Sequence, residues 1–284
     1  METTLSPIPT HLTDGHASEA EMATESNLLA LLDLLGMPPH DRDHAARQPL
    51  VIKRVKARHA LFQWGEPVRA LAVVRHGSFK LCHLDESGYE QVSGLGMRGD
   101  VLGMESFDLP HHDADAVALE DASVFLLPRE QLAALATRMP VLAQALQQAS
   151  SRRLRQSQAL VDVLAAVAAE VRLARFLLWH GRQMAEDGWS ARRLHLRMGR
   201  RDLASLLGVA HETVSRSFTA LSLAGLIAVN DRDIEILDPL GLQTYARNTR
   251  RAQEDNRYSP AMRPANPLRQ VPVSARGRRS MYLA

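Results

Sequence analysis

Residues 201–216 read Arg-Asp-Leu-Ala-Ser-Leu-Leu-Gly-Val-Ala-His-Glu-Thr-Val-Ser-Arg and decide the fold of the C-terminal part of the chain. They predict two short helices, 200–207 and 211–224, joined by a three-residue turn that begins with Gly208, which is the pattern of a helix-turn-helix. Two short apolar runs, 226–229 and 234–237, follow with a polar turn between them and predict a β-hairpin, the wing. We therefore expect a winged helix-turn-helix over residues 182–246.

The second of these helices presents polar side chains in its first two turns. Because the apolar Val214 is expected to face the core, its neighbours on the other side of the helix should be exposed. Arginine can bind both acceptors of guanine, glutamate accepts from the cytosine amino group, and serine can bond to either kind of group. The candidates for reading base pairs in the major groove are His211, Glu212, Ser215 and Arg216.

Charge is unevenly distributed along the 284 residues, although the formal net charge is only +2. Residues 192–216 carry six arginines against two acids, and residues 247–284 carry nine against two, so these segments are at +4 and +7. Basic clusters on a nearly neutral chain favour a polyanionic partner, here double-stranded DNA. Arg197, Arg200 and Arg201 are the candidates for phosphate contacts. The basic tail should add affinity without sequence preference.

Composition limits the class of protein. Hydrophobic residues make up 45% and charged residues 23% of the chain, as in ordinary folded domains. A single cysteine, Cys82, excludes an intrachain disulfide and an all-cysteine metal centre. No apolar run approaches the ~18 residues of a membrane helix, and the acidic N-terminus does not resemble a signal peptide. We expect a cytoplasmic protein without membrane contact.

The remaining chain divides into four further segments. Residues 1–27 hold five acids and no base and predict an irregular acidic arm. A short helix over 26–35 is followed, within 28–138, by short β-type runs separated by glycines, which is typical of a sandwich or barrel. Beyond Asp238 we expect no regular period, and 247–284 is predicted to be an irregular basic tail. The fold class is α+β.

Residues 139–181 are predicted to form one long helix, because no proline or glycine interrupts 141–180. Apolar residues recur there at steps of three, four and seven, which favours a seam between two helices of a homodimer. Packing of the helix on its own domain is the alternative. The seam residues are Leu154, Val161, Leu164, Ala168 and Val171.

The run Arg201-Asp-Leu-Ala…Leu-Gly…Glu-Thr-Val-Ser-Arg…Gly-Leu-Ile…Ile-Glu-Ile closely resembles the CRP/FNR family of bacterial transcription regulators, and its FNR branch in particular. The similarity extends over about residues 49–245 and includes Ala169–Leu178, Gly88–Val92, Gly99–Gly103 and Ala118–Asp121. It implies a jelly-roll sensor domain like that of cyclic-nucleotide-binding proteins, a long dimerisation helix and a winged helix-turn-helix.

The resemblance also implies roles for individual residues. Glu212, Ser215 and Arg216 occupy the positions that read a TTGAT half-site, paired with ATCAA in an inverted repeat. The turn that contains Asp85, Glu86 and Gly88 matches a surface through which family activators contact RNA polymerase, and residues 183–192 match a second one. Three residues depart from the family pattern: Gly199 and Ala210 stand where hydroxyl residues often precede the two helices, and Tyr89 stands where an acidic residue is frequent.

Cofactor chemistry is limited by the residues present. FNR-type iron–sulfur clusters need four cysteines, and Phe125 stands at the position of the fourth, so we expect no cluster. Cyclic AMP needs a cation for its phosphate, and residues 103–127 contain no lysine or arginine, so this ligand is not expected either. Haem stays open, because four histidines are available: His76, His83, His111 and His112. A haem- or nitric-oxide-responsive regulator is thus the alternative function.

The cluster His111-His112-Asp113-Ala-Asp115 is expected to be a solvated loop rather than a metal site, because adjacent histidines point apart. An enzyme that uses the β-domain as its sensor is the rival class of function. It has no support, because the sequence contains neither a glycine-rich phosphate loop nor a recognisable nucleophile–base pair. The sequence does not specify the signal, the target genes or whether His211 changes the half-site.

Overall fold

Two antiparallel sheets pack face to face in the N-terminal half of the computed structural model, which describes residues 24–85 and 88–247. The strands are β1 (Thr24–Asn27), β2 (Pro49–Val55), β3 (Ala60–Phe62), β4 (Ala70–His76), β5 (Phe79–Leu84), β6 (Glu90–Gly96), β7 (Val101–Leu102), β8 (Asp115–Ala118) and β9 (Ala122–Pro128). One sheet has the order β1-β2-β9-β4-β7 and the other β3-β8-β5-β6. The predicted jelly-roll is confirmed.

The larger sheet is buried on both faces at its centre. Along β4, Ala72 and Val74 face the smaller sheet, whereas Leu71 and Val73 face a helical layer. This alternation follows from the two-residue period of a strand. Because both faces are covered, β4 reads as a continuous apolar run and not as an alternating one.

The helical layer begins with α1 (Leu28–Leu34), whose leucines 28, 31 and 32 are fully buried, and a short α2 (Arg42–Ala46) follows. Asn27 caps α1, since its Oδ1 accepts a hydrogen bond from the Ala30 amide at 3.0 Å. The prediction of an irregular arm is wrong for residues 24–27, which pair with β2 as strand β1. This polar segment is a strand because its main chain pairs with β2. Its side chains do not show the apolar alternation that predicts a strand. Residues 1–23 lie outside the described chain.

The long helix predicted over 139–181 is two helices. After α3 (Arg129–Arg138) come α4 (Pro140–Leu164) and α5 (Ala169–Glu186), with a break at residues 165–168 that contains neither proline nor glycine. Two arginine side chains of α5 donate hydrogen bonds to backbone carbonyls at this break. The Arg175 guanidinium donates to the Asp162 carbonyl at 2.6 Å, and Arg172 Nε donates to the Ala166 carbonyl at 2.8 Å. The Asp162 carbonyl in the last turn of α4 and the Ala166 carbonyl in the break therefore accept from side chains of α5.

Arg172 also binds the turn of the helix-turn-helix. Its Nη1 donates to the carbonyls of Leu207 at 2.8 Å and Gly208 at 3.2 Å. Phe176 and Leu177 on α5 are fully buried in the same core as the C-terminal helices. α5 therefore packs as the first helix of the C-terminal part and not as a continuation of α4.

The C-terminal part contains β10 (Arg193–His195), α6 (Arg200–Leu207), α7 (His211–Leu223), β11 (Ile227–Asn230), β12 (Asp233–Ile236) and α8 (Pro239–Arg247). The predicted helix-turn-helix is confirmed, and β11 and β12 form the predicted hairpin. Two elements were missed. Strand β10 pairs with β12 as a third strand, and α8 buries Leu242 and Ala246 where we expected no regular period. With three residues, β10 is too short to show a period in the sequence.

Helix α6 docks on the sensor hairpin β5–β6. The Ser205 hydroxyl accepts from the Val92 amide and donates to the Glu90 carbonyl, both at 2.8 Å. Beside it, Lys80 bonds to Glu90 and, at 2.9 Å, to Asp202, and its side chain is only 12% exposed. The two halves of the chain thus share buried polar contacts. None of the helices in the described ranges is long and apolar enough to cross a membrane.

Candidate nucleic-acid interface

Helix α7 separates its residues into a buried and an exposed face. Val214, Phe218 and Leu221 pack into the core, with at most 4% of each residue exposed. The four predicted base-reading residues all lie on the exposed face, within the first two turns: His211, Glu212, Ser215 and Arg216. Because the N-terminal turns of a recognition helix are those that enter the major groove, this face has the required geometry.

The turn before α7 has the backbone of a helix-turn-helix but lacks a side-chain cap. Gly208 adopts the left-handed conformation, φ 61° and ψ 43°, which glycine alone adopts without steric cost. Ala210 is the N-cap residue of α7, and no side chain bonds to the first turn there. At α6, Asp202 Oδ2 accepts from the amide of the N-cap residue Gly199 at 3.4 Å, but no side chain caps the first-turn amides there either.

The three predicted phosphate-binding arginines differ in their surroundings. Arg201 is exposed, and Arg197 is exposed but pairs with Glu120 of the sensor domain at 3.2 Å. Arg200 is half-buried, stacks on the Phe218 ring at 3.6 Å and donates to the Asp231 carbonyl at 2.8 Å. Burial lowers the pKa of Arg200 from its usual value. The Arg200 guanidinium is thus engaged by Phe218 and Asp231. Among the three arginines, Arg201 is the best placed to contact a phosphate.

An apolar stripe is exposed on α4. Leu154 is 61% and Val161 65% exposed, and Leu164 lies near them, whereas Leu142 and Ala149 face the sensor core. The stripe supports the predicted seam along α4 as far as Leu164.

Beyond the break the predicted seam does not continue. Helix α4 ends at Leu164, so Ala168 and Val171 belong to the start of α5. There Val171 is buried in the chain's own core and Ala168 is half-buried. Val171 was therefore wrongly placed on a surface for a partner. Val167, 60% exposed in the break, was missed because it does not fit the continuous period.

The turn expected to contact RNA polymerase is built around Asp85. The carboxylate of Asp85 accepts from the Tyr89 amide at 2.9 Å, and Gly88 has a φ of 79°. Tyr89 is half exposed. Glu86 lies outside the described residues, and the prediction for it stays a prediction.

Glu105 lies in the stretch, residues 103–127, where the resemblance predicts the cyclic-nucleotide site and where the sequence has no cation of its own. Arg153 of α4, however, lies 2.7 Å from Glu105. This guanidinium is paired with the Glu105 carboxylate. His112, expected in a solvated loop, is buried; it stacks on Phe62 at 3.8 Å, and a Cβ on Gly103 would lie 3.2 Å from its ring. Burial lowers the pKa of His112, so it does not supply a cation. Arg153 could not be found from sequence, since it lies 48 residues from Glu105.

The other candidate ligands for a cofactor are scattered. His76, His83 and His111 are exposed on different strands and loops. Cys82 is packed in the core, and desolvation raises the pKa of its thiol to about 12. No group of three histidine, cysteine or acidic side chains that could hold a metal ion occurs within residues 24–85 and 88–247.

Comparison with known proteins gives the family. Residues 171–245 match the Crp-like helix-turn-helix domain, and residues 52–139 match the cyclic nucleotide-binding domain. The transcriptional activator protein Anr of Pseudomonas protegens is 34% identical over 199 residues, which cover 69% of this chain and 82% of Anr. The chain belongs to the CRP/FNR family. It is a transcription regulator with a helix-turn-helix DNA-binding domain.

Two further CRP/FNR proteins support the assignment. The transcriptional regulatory protein btr of Bordetella pertussis is 32% identical over 209 residues, covering 74% of this chain and 86% of btr. The structure of FixK2 from Bradyrhizobium japonicum matches with a TM-score of 0.62 at 27% identity, over 70% of this chain and 98% of FixK2. The family resemblance expected from residues 201–216 is therefore confirmed over both domains.

Proposed function

We propose that this regulator acts as a homodimer that reads a TTGAT/ATCAA-like inverted repeat and activates transcription through contact with RNA polymerase. The observation that carries the proposal is the exposed face of α7, on which Glu212, Ser215 and Arg216 lie together at the N-terminal end while Val214 is buried behind them. Activation is supported by the name of the relative Anr.

Dimer formation is supported by the stripe on α4. A helix exposing Leu154 and Val161 on one side leaves apolar area in water that a second copy of α4 would cover. Two-fold symmetry of such a dimer matches an inverted repeat with half-sites about one helical turn apart.

The proposal requires neither an iron–sulfur cluster nor cyclic AMP. The chain has one cysteine, which is buried, and Arg153 beside Glu105 is already paired with that carboxylate. Binding in air without added ligand is therefore expected.

DNA reading is tested by fluorescence anisotropy with a labelled TTGAT/ATCAA duplex and a scrambled duplex, in air. Wild type should prefer the repeat. Glu212→Ala and Arg216→Ala should each weaken binding to the repeat by at least ten-fold, with little change on the scrambled duplex. Thr219→Ala, exposed one turn further along α7, is the matched control and should bind like wild type. Equal binding of wild type to both duplexes at every salt concentration would refute the proposed sequence.

The dimer is tested by sedimentation equilibrium of the full chain. Leu154→Asp and Val161→Asp should each shift the mass from dimer to monomer. Gln148→Asp, exposed on another side of α4, should leave the dimer intact. A monomeric wild type, or a dimer that survives both substitutions, would place the interface elsewhere.

A further inference from the structure

A cavity of about 240 Å³ lies between the sensor sheets and the end of α5. One wall belongs to the sensor and includes Leu95, Met97 and Leu119. The opposite wall belongs to α5 and the chain that follows it and includes Phe176 and Met184. The exposed face of α7 and the apolar stripe on α4 contribute no residue to the lining, so this cavity is separate from both surfaces.

The apolar part of the lining favours an aromatic ring. Met97, Met184 and Met198 line the cavity together with Phe176 and Trp189. Methionine sulfur makes favourable contacts with aromatic rings. An apolar cavity of ~150 Å³ holds benzene, so a cavity of about 240 Å³ accommodates a phenyl ring that carries a short polar chain.

The cavity also contains an acid that lacks a partner. Asp187 is the C-cap residue of α5, and its carboxylate makes no hydrogen bond or ion pair within the described part of the chain. A helix C-terminus is the negative end of the helix dipole, and α5 has no basic residue in its last turn. Partial burial raises the pKa of Asp187 above its usual value. Because a charge that is partly removed from water is costly unless it is paired, this place favours a cation from outside the chain.

A cation of the chain lies nearby without pairing. Arg98, in the turn after β6, lines the same cavity, and its positive charge opposes the effect of burial on the pKa of Asp187. No hydrogen bond or ion pair joins the two side chains. The other acid of this turn, Asp100, is engaged elsewhere, because it accepts from the Met97 amide at 2.9 Å and from Gln156 at 3.1 Å. The lining thus presents one positive and one negative group, close together and both open to a ligand.

The remaining titratable groups of the lining add little to this pattern. Arg197 is paired with Glu120 at 3.2 Å, and His195 Nδ1 lies 2.6 Å from a carboxylate of β12. Burial lowers the pKa of His180 to about 4, so its ring is uncharged at neutral pH. His76 is exposed on the sensor side. A ligand with a single net charge would therefore meet one attractive and one repulsive group, whereas a zwitterion would meet two attractive ones.

We infer that this cavity binds a free α-amino acid with an aromatic side chain of the size of phenylalanine. Its ammonium pairs with Asp187, its carboxylate pairs with Arg98, and its ring lies among the methionines. Since both halves of the chain line the site, a bound amino acid stabilises the docked arrangement of the sensor and α5. The inference does not depend on the DNA sequence that the regulator reads.

The test is isothermal titration calorimetry of the full chain at neutral pH with L-phenylalanine and two truncated analogues. One analogue, 2-phenylethylamine, lacks the carboxylate, and the other, 3-phenylpropionate, lacks the ammonium. Wild type should bind one L-phenylalanine per chain and prefer it over each analogue by about ten-fold, because each analogue loses one charge-assisted contact. L-Leucine, which has both charges but no ring, should also bind more weakly than L-phenylalanine.

Two variants separate the contacts of the two charges. Asp187→Asn should abolish the preference over 3-phenylpropionate and keep that over 2-phenylethylamine, whereas Arg98→Gln should do the opposite. Both residues lie at least partly in solvent, so the fold should tolerate the changes. Glu186→Gln and Arg182→Gln are the matched controls, since both residues are exposed on α5 outside the lining and should bind like wild type.

A third variant tests the location of the site. Met97→Trp, from the sensor side, should fill the cavity and abolish binding of all these compounds. The inference would be overturned by a wild type that does not bind L-phenylalanine, by preferences that persist unchanged in Asp187→Asn and Arg98→Gln, or by unchanged binding in Met97→Trp. Equal binding of L-leucine and L-phenylalanine would overturn the choice of an aromatic side chain.

Discussion

The contact between α6 and the sensor hairpin predicts a large effect for a small substitution, Ser205→Ala. Ser205 is 3% exposed, and its hydroxyl makes two hydrogen bonds of 2.8 Å, from the Val92 amide and to the Glu90 carbonyl. Each such bond contributes about 1 kcal/mol, and an amide left unpaired in a buried place adds a further penalty of about 1 kcal/mol. Alanine is the better helix former by about 0.5 kcal/mol and offsets part of the loss.

We therefore expect Ser205→Ala to lower the free energy of unfolding by about 2 kcal/mol. The assay is urea denaturation followed by circular dichroism, in which the midpoint should fall by about 1 M with an unchanged slope. Ser217→Ala is the matched control. Ser217 is also buried, but its hydroxyl donates only to the Thr213 carbonyl of its own helix, so its loss leaves no amide unpaired. If Ser205→Ala shifted the midpoint no further than Ser217→Ala, the contact between α6 and the sensor would not hold the two halves together.

Three further predictions concern the N-cap of α7, the two neighbouring arginines of α6 and the pH dependence of stability. Ala210→Ser should supply the missing N-cap of α7 and raise the free energy of unfolding by about 1 kcal/mol, measured by thermal denaturation; no gain would contradict the cap geometry. Arg200→Ala should lower stability by about 1–2 kcal/mol through loss of its stacking and carbonyl contacts, whereas Arg201→Ala should leave stability unchanged and reduce the salt dependence of DNA binding; the reverse result would exchange their roles. Because burial lowers the pKa of His180 from 6.5 to about 4, the unfolded chain binds its proton first as the pH falls, so this group removes about 3 kcal/mol of stability between pH 7 and pH 4. Urea midpoints of wild type should therefore fall more steeply with acid than those of His180→Phe, and parallel curves would show that His180 is not buried as a neutral ring.

The parts of the fold that could be predicted from sequence are those with a local signal. The turn at Gly208, the inward Val214 and the hairpin after Leu226 each follow from a few adjacent residues, and the structure has all of them. The exposed positions of Glu212 and Arg216 follow from the same helical period.

The errors arose where distant residues decide the structure. At the end of α4, Arg175 donates to the Asp162 carbonyl and Arg172 to the Ala166 carbonyl in the break, and no residue in the break itself signals an end. His112 is buried by Phe62, and Arg153 meets Glu105 only after the helix folds over the sheets. Such pairings depend on the tertiary arrangement, and a single sequence does not reveal them.

The hydrogen bonds of Arg172 to two separate segments have a consequence for the spacing of the half-sites in a DNA target. One guanidinium joins the break after α4, at Ala166, to the turn before α7, at Leu207 and Gly208. In the proposed dimer joined along α4, this contact would restrict the angle between each α7 and the two-fold axis, and hence the number of base pairs between half-sites. Lysine has a single ammonium in place of the planar guanidinium, so it should hold the two sites less firmly. A chain with lysine there would accept operators one base pair longer or shorter almost as well, so the choice of promoters would widen without any change in the residues that read bases.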